Sequence, residues 1–161
     1  MHVRTATPAD FEAILALNEE SLAYLSPLSA SRLADLHAEA AVHRVVEHNA
    51  TVIAFILALR EGAAYDSQNY LWFAQRYTEF LYVDRVVVSM HARKSGAGTL
   101  LYRDLFAFAA STAVPIVTCE YDVEPPNPSS ARFHSRLGFR EVGRQTVAGG
   151  KKVVSLQAVD L

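Results

Sequence analysis

The chain has 161 residues, a length that suits one domain with one core. Its hydrophobic fraction of 51% and charged fraction of 20% describe an ordinary globular composition, and a net charge of -2 offers no basic field for nucleic acid. The single cysteine excludes an internal disulfide framework and a cysteine-rich zinc site.

The hydropathy pattern contains no segment that predicts a membrane or export signal. The longest apolar run, residues 52–59, is too short to span a bilayer, and the first residues run straight into a strand-like segment. We therefore expect a single domain over residues 1–161 in a cytoplasmic protein, with no nucleic-acid or membrane partner.

The first third of the chain is predicted to contain one strand, two helices and a hairpin. A short strand covers residues 3–6, and Thr7-Pro8-Ala9-Asp10 opens a helix, because Thr7 can cap and Pro8 suits the first helical position. A second helix is predicted over residues 29–41. Residues 42–47 and 51–60 then form an antiparallel hairpin through His48-Asn49-Ala50, and the second strand is apolar enough on both faces to be central.

The remaining elements alternate between strands and helices. An aromatic-rich connection over residues 61–79, with a short helix from Asn69 to Tyr77, precedes a valine-rich strand over residues 80–89. Further elements are predicted as a helix over 98–111, a strand over 116–121, a helix from Asn127 to 137, and a hairpin over 139–147 and 153–159. The strand–helix–strand unit in the middle implies a right-handed parallel crossover.

A glycine-rich turn, Arg93-Lys94-Ser95-Gly96-Ala97-Gly98-Thr99, joins the valine-rich strand to the following helix. Free backbone N–H groups at such a turn point outward, and the helix dipole favours negative charge. Gly96 and Gly98 let the backbone approach a diphosphate closely. From these residues alone, both phosphate binding and a plain tight turn with solvated basic residues remain open.

Two common phosphate motifs do not fit this turn. The Gly-Lys-Ser/Thr of a P-loop is absent, and a dinucleotide fingerprint would need a third glycine where Leu101 stands. One strand–helix–strand unit is also too little for a double nucleotide fold.

The turn resembles the first signature of the GNAT (GCN5-related N-acetyltransferase) superfamily. After a hydrophobic strand that signature reads Gln/Arg-x-x-Gly-x-Gly/Ala, and Arg93, Gly96 and Gly98 fill it. Lys94 departs from the glycine that many members carry at its position.

A second stretch, Asn127-Pro-Ser-Ser-Ala-Arg-Phe-His-Ser-Arg-Leu-Gly-Phe139, is similar to the family's later signature Asn-x-x-Ala/Ser-x-x-Leu/Phe-Tyr-x-x-x-Gly-Phe. The clear departure is His134, where many members carry tyrosine. The order of elements also matches the family along nearly the whole chain.

The resemblance implies a mixed α/β (α+β) fold. Its mostly antiparallel central sheet would have about seven strands, about four flanking helices and one central parallel β–α–β unit. It also implies an N-acetyltransferase that moves an acetyl group from acetyl-coenzyme A to an amine by direct attack. We expect no metal, because His37, His43 and His48 do not show metal-ligand spacing with carboxylates. Pairing of sheet edges into a homodimer is common in the family, and the sequence leaves the oligomeric state open.

The resemblance also implies which residues contact coenzyme A. The pyrophosphate would lie on the glycine-rich turn, and the pantetheine arm along the preceding strand, whose backbone N–H at Val87 is the expected donor to the oxyanion. The predicted contacts are Val86, Val87, Val88, Arg93, Lys94, Ser95, Gly96, Ala97, Gly98, Thr99, Asn127, Ser130 and Phe133. Asn127 has an equal alternative as the N-cap of the helix that starts at Pro128.

Three residues are candidates for proton transfer. Asp84 and Glu120 lie on the two central strands and are candidate bases for the amine. The alternative for Asp84 is a salt bridge with Arg85 or another strand neighbour, and the alternative for Glu120 is a polar strand end. His134 occupies the position of the family tyrosine, which often protonates the coenzyme A thiolate. Its alternative role is a partly buried hydrogen-bonding histidine. Cys119 is interpreted as a core residue.

The acceptor site is predicted to be walled by aromatic side chains, namely Tyr24, Tyr65, Tyr70, Trp72 and Tyr82. Such walls favour a small, partly apolar amine, although these aromatics could instead pack a short helix onto the sheet. Three other functions stay open: a non-catalytic acyl-coenzyme A sensor, a protein N-terminal or lysine acetyltransferase, and a different nucleotide-binding enzyme.

Overall fold

The computed structural model describes all residues from 1 to 161. It contains seven strands and five α-helices, in the order β1 His2–Thr5, α1 Phe11–Glu19, α2 Ala30–Glu39, β2 Val42–His48, β3 Thr51–Arg60, α3 Gln68–Ala74, β4 Leu81–Val88, α4 Ala97–Ser111, β5 Ile116–Glu124, α5 Pro128–Arg136, β6 Arg140–Val147 and β7 Lys152–Asp160. No helix is both long enough and apolar enough to cross a bilayer.

The seven strands form one sheet in the order β1-β2-β3-β4-β5-β7-β6. Every neighbouring pair is antiparallel except β4 and β5, which are parallel and joined through α4. This confirms the predicted mixed fold. The final hairpin was predicted, and the structure shows that its second strand, β7, is the one that pairs with β5.

The two faces of the sheet carry separate hydrophobic cores. On one face, which we call the α1–α3 face, buried side chains of α1, α2 and α3 such as Ile14, Leu33 and Phe73 pack against the strands. On the opposite α4–α5 face, Leu101 and Leu105 of α4 pack against the sheet together with side chains of α5. The buried apolar side chains of the strands therefore pack in one of two cores.

The hairpin between β2 and β3 turns through Asn49 and Ala50, both with positive φ of 49° and 60°. This left-handed pair suits the right-handed twist of the flanking strands, as the sequence predicted. Helix α2 begins as its sequence indicates, because the Ser29 side chain accepts a hydrogen bond from Arg32 N at 3.1 Å.

A β-bulge interrupts β4 at Asp84. The register with β3 passes from Leu57↔Arg85 directly to Ala58↔Val83, so Asp84 has no partner residue. An extra residue in one strand lets two consecutive side chains lie on the same side of the sheet. Asp84 and Arg85 do so on the α1–α3 face, where one contacts Tyr65 and the other contacts Asn18.

Strands β4 and β5 separate shortly after they begin to pair. Their ladder consists of Leu81↔Val117 and Tyr82↔Thr118. Beyond these two pairs β4 continues to Val88 and β5 to Glu124 as partners of β3 and β7. The carboxyl halves of the two central strands therefore diverge and leave an opening in the sheet.

Candidate active site

The glycine-rich turn leads into α4 beside Val88, where β4 ends at this opening. Gly96 is the N-cap residue and adopts a left-handed conformation with φ 92°, which favours glycine. The first N–H groups of an α-helix have no acceptor within the helix, so those of Gly98 and Thr99 can bind an anion. The turn therefore ends at the start of a helix, as the sequence predicted.

Gly98 is required for a different reason. A Cβ atom at this position would lie 3.1 Å from Cζ of Phe133 and 3.6 Å from a methyl group of Val88. The aromatic ring of α5 thus packs directly on the start of α4 beside the end of β4. Phe133, Gly98 and Val88, which were predicted to contact coenzyme A, are brought together by the fold.

The backbone of β4 presents alternate N–H groups to the opening. Ser89 N donates to Ile53 O of the β3 side at 2.8 Å. Because N–H direction alternates along an antiparallel strand, the N–H of Val87 also points to β3, while those of Val86 and Val88 point away from it. By this alternation Val86 and Val88, rather than Val87, direct their N–H groups to the opening.

Glu120 lies on β5 two residues beyond the last pair with β4. Its Oε1 accepts hydrogen bonds from the Tyr82 hydroxyl at 2.9 Å and from Asn69 Nδ2 at 3.2 Å. Its Oε2 is buried and has no hydrogen-bond partner. Desolvation, followed by the nearby charge of Asp84, raises the pKa of Glu120 to about 8.

Asp84 has a different environment. It forms a 2.7 Å ion pair with Arg85, in which both side chains are 4% exposed, and it accepts a hydrogen bond from the Tyr65 hydroxyl. Arg85 Nη1 in turn donates to Asn18 Oδ1 of α1 at 3.0 Å. Both oxygens of Asp84 are therefore engaged, and the predicted alternative of a salt bridge to Arg85 describes the structure. Of the two carboxylates, Glu120 alone has a free oxygen.

His134 is 4% exposed and both of its ring nitrogens are engaged. Nδ1 lies 2.8 Å from Ser130 O, which can only accept, so Nδ1 carries the proton. Nε2 then accepts from the Tyr102 hydroxyl at 2.8 Å. Burial lowers the pKa of His134, which favours this neutral form. This arrangement gives His134 no free proton for a thiolate and matches its alternative as a buried hydrogen-bonding histidine.

The other predicted residues of α5 have roles at the start of that helix. The Asn127 side chain accepts from Ser130 N at 3.3 Å and so caps α5. The hydroxyl of Ser130 lies 3.1 Å from Nδ1 of His134. Both polar side chains therefore have partners within α5.

The predicted aromatic wall is only partly assembled. Tyr65 and Tyr82 bind the two carboxylates, and Tyr24 is 43% exposed on the segment between α1 and α2. Tyr70 instead packs in the core, where its hydroxyl donates to Arg60 O at 2.8 Å. Trp72 lies against Gly143 of β6, where an added Cβ would come within 2.5 Å of the indole.

The sequence analysis missed four polar residues on this face. Gln145 of β6 donates to Asn69 Oδ1 at 3.0 Å, so an edge strand orients the amide that binds Glu120. Lys152 of β7 forms a 3.1 Å ion pair with Asp122 of β5. Alternation along β5 could have identified Asp122, because it lies two residues from Glu120 on the same face.

Neither a nucleophilic cysteine nor a cluster of metal ligands lies at this site. Cys119 is 2% exposed in the core of the α4–α5 face. No group of three or more His, Cys, Asp or Glu side chains is arranged to hold a metal ion.

A family model described as the acetyltransferase (GNAT) family matches residues 11–139. The chain belongs to this family. The matched region runs from the start of α1 to Phe139 and contains the glycine-rich turn, the diverging strands and Glu120.

Individual relatives of this GNAT chain are distant. Phosphinothricin N-acetyltransferase of Streptomyces coelicolor is 39% identical over 66 residues, which cover 41% of this chain and 37% of the relative. The chain therefore matches well under half the length of that curated relative.

Solved structures show the same fold at low identity. Ard1 from Thermoplasma volcanium superposes with a TM-score of 0.82 at 16% identity, over 99% of this chain and 97% of that one. The Salmonella typhimurium protein yncA, solved with its cofactor acetyl-CoA, has a TM-score of 0.76 at 16% identity, over 100% of this chain and 94% of that one.

Proposed function

We propose that this GNAT protein transfers an acetyl group from acetyl-coenzyme A to a small-molecule amine by direct attack within a ternary complex. The observation that carries the proposal is the position of Glu120. It lies just beyond the last β4–β5 pair, with one oxygen held by two donors and the other free.

Glu120 is the proposed proton acceptor. An amine with an ordinary pKa near 10 is about 0.1% neutral at pH 7, so attack requires a base. A carboxyl group with a pKa of about 8 is well matched to receive that proton near neutral pH. Once Glu120 has taken the proton of the ammonium, the neutral amine nitrogen bonds to the acetyl carbon and the carbon–sulfur bond breaks. The proton that the nitrogen then loses neutralises the leaving thiolate.

The remaining residues bind and orient the donor. The N–H groups of Gly98 and Thr99 would hold the pyrophosphate at the start of α4, with Arg93 and Lys94 at the rim. The outward N–H groups of Val86 and Val88 are suited to the pantetheine amides and to the developing oxyanion. Acetyl-coenzyme A supplies the activated acyl group, and the chain supplies position and proton transfer.

A small amine is the proposed acceptor. The distant similarity to phosphinothricin N-acetyltransferase supports a small molecule, as does the half-buried Tyr65 beside the two carboxylates. Both observations favour an enclosed acceptor over an extended polypeptide.

The proposal is tested by two linked measurements. Isothermal titration with acetyl-coenzyme A should show binding, and a free-thiol assay over an amine panel should show acceptor-dependent release. Tight binding without thiol release from any amine would support the alternative of a non-catalytic sensor. Binding of NAD but not of coenzyme A would contradict both.

A further inference from the structure

The charged side chains on the α1–α3 face near Glu120 are arranged in closed pairs. Arg85 is bound by Asp84 at 2.7 Å, and its guanidinium also reaches Asn18 and Ser26. The ion pair is buried, so Arg85 cannot turn to a ligand without leaving Asp84 as an unpaired buried charge. Arg85 of β4 is therefore engaged within the protein and does not bind a ligand anion.

The second cation on this face is Lys152. Its ammonium lies 3.1 Å from Asp122 Oδ2 and donates to Ala23 O at 3.2 Å. It thereby ties β7 and β5 to the segment between α1 and α2, directly beside Tyr24. Like Arg85, Lys152 is matched by a carboxylate within the protein.

Helix α2 adds a third cation near this face, and it too has a carboxylate partner. Helix α3, over Gln68–Ala74, has no charged residue. Arg32 of α2 lies over the Tyr65 ring at 5.0 Å and pairs with Asp66. Glu39 of α2 is also engaged and accepts from Ala64 N at 2.9 Å. Among the carboxylate oxygens here, the buried one left without a hydrogen-bond partner or a counter-charge is Oε2 of Glu120, which is an acceptor when ionised.

From this charge arrangement we infer that the acceptor is an amine that carries no anionic group. This inference rests on the proposed function and specifies its substrate class. A carboxylate or phosphinate on the acceptor would approach Asp84, Glu120 and Asp122. The three nearby cations, Arg85, Lys152 and Arg32, are already paired with carboxylates of the protein. An ammonium or neutral amine meets the free oxygen of Glu120 instead. Phosphinothricin, which carries a carboxylate and a phosphinate beside its amine, is therefore a poor acceptor.

The test compares amines that differ in one anionic group. Phenethylamine and L-phenylalanine share the aromatic ring and the amine, and phenethylamine is the more basic of the two, so a preference for it does not come from a larger free-base fraction. L-phosphinothricin completes the panel. With acetyl-coenzyme A as donor and thiol release as readout, kcat/KM for phenethylamine should exceed that for either anionic amine by at least about ten-fold.

Asp122→Asn sharpens this test, because it should free the ammonium of Lys152 to bind a carboxylate. We expect the preference for phenethylamine over phenylalanine to fall by about ten-fold in this variant. The matched control is Asp160→Asn, which releases Arg140 from an exposed pair at the end of β7. Asp160→Asn should retain the wild-type preference.

The outcomes distinguish a failure of the inferred acceptor class from a failure of the proposed acetyl transfer. Preference of the wild type for phenylalanine or phosphinothricin would overturn the inference and leave acetyl transfer intact. An equal response of the two Asn variants would overturn the role given to the Lys152 pair. Absence of thiol release from every amine would instead contradict the proposed function.

Discussion

The Tyr82 hydroxyl donates to Oε1 of Glu120 at 2.9 Å across the point where β4 and β5 stop pairing. Tyr82 is fully buried, so its hydroxyl holds the Glu120 carboxyl group from the interior of the protein. Asn69 binds the same oxygen from α3. The two donors hold Glu120 in one orientation and leave Oε2 for another partner.

Glu120→Gln should remove the proposed base while keeping a side chain of the same size whose Oε1 can still accept from Tyr82 and Asn69. We expect kcat to fall by roughly 100- to 10,000-fold, the usual contribution of general-base catalysis. In the wild type the rate should rise with pH through about 8, because only ionised Glu120 accepts a proton. Glu120→Gln should lose this acidic limb of the pH–rate profile.

Asp84→Asn is the matched variant on the neighbouring strand. Asp84 raises the pKa of Glu120, so its neutralisation should move the acidic limb to lower pH while retaining it. Loss of the limb in Asp84→Asn with its retention in Glu120→Gln would reverse the two assignments.

Asn69→Ala should affect the same limb in the opposite direction. The Asn69 amide stabilises the ionised carboxyl group, so its removal should raise the pKa of Glu120 and lower the rate at pH 7 by roughly ten-fold. Gln68→Ala, the preceding exposed residue on α3, is the control and should match the wild type. An unchanged pH–rate profile in Asn69→Ala would contradict the role of Asn69 in orienting Glu120.

Gly96→Val should disrupt the start of α4. At φ 92° a β-branched residue is strained by about 1–3 kcal/mol, so the turn should change conformation and lose coenzyme A affinity. Gly150→Val, in the turn before β7, is a matched control at φ 90°. By calorimetry Gly150→Val should bind acetyl-coenzyme A normally, and equal binding by both variants would contradict the assigned phosphate site.

His43 should make folding stability depend on pH. Burial, together with the charge of His37 whose Nδ1 lies 2.8 Å away, lowers the pKa of His43 to about 4. Below pH 6.5 the unfolded chain takes up a proton that the folded chain does not, so stability falls by up to about 1.4 kcal/mol per pH unit until pH 4.

Urea unfolding at pH 7.5 and pH 5 checks this effect. His43→Phe, which retains a ring beside Phe55 on β3, should lose less stability at pH 5 than the wild type does. The exposed His48→Gln should behave as the wild type. An equal loss of stability in His43→Phe and the wild type would exclude His43 as the titrating group.

The sequence was sufficient for the parts of the site that depend on neighbouring residues. The left-handed Gly96, the Asn127 cap and the Asn49-Ala50 turn follow from local conformational preferences, and the structure contains all three. The seven-stranded fold could be predicted because two family signatures stand in order along the chain.

Features that depend on distant pairing could not be read from the sequence. The bulge at Asp84 depends on the register between β3 and β4, and the N–H direction at Val87 follows from the same pairing. The role of His134 depends on its partner Tyr102, which is 32 residues away in the sequence. Orientation of Glu120 likewise involves Asn69 and Gln145, which are far from β5 in sequence.

The most direct test of the account is mass spectrometry of the acceptor after incubation with acetyl-coenzyme A. We predict that wild-type protein converts phenethylamine to its N-acetyl derivative, with one free thiol released per product, and that Glu120→Gln forms almost none under the same conditions. Binding of acetyl-coenzyme A with no acetylated amine from any member of the panel would contradict the account.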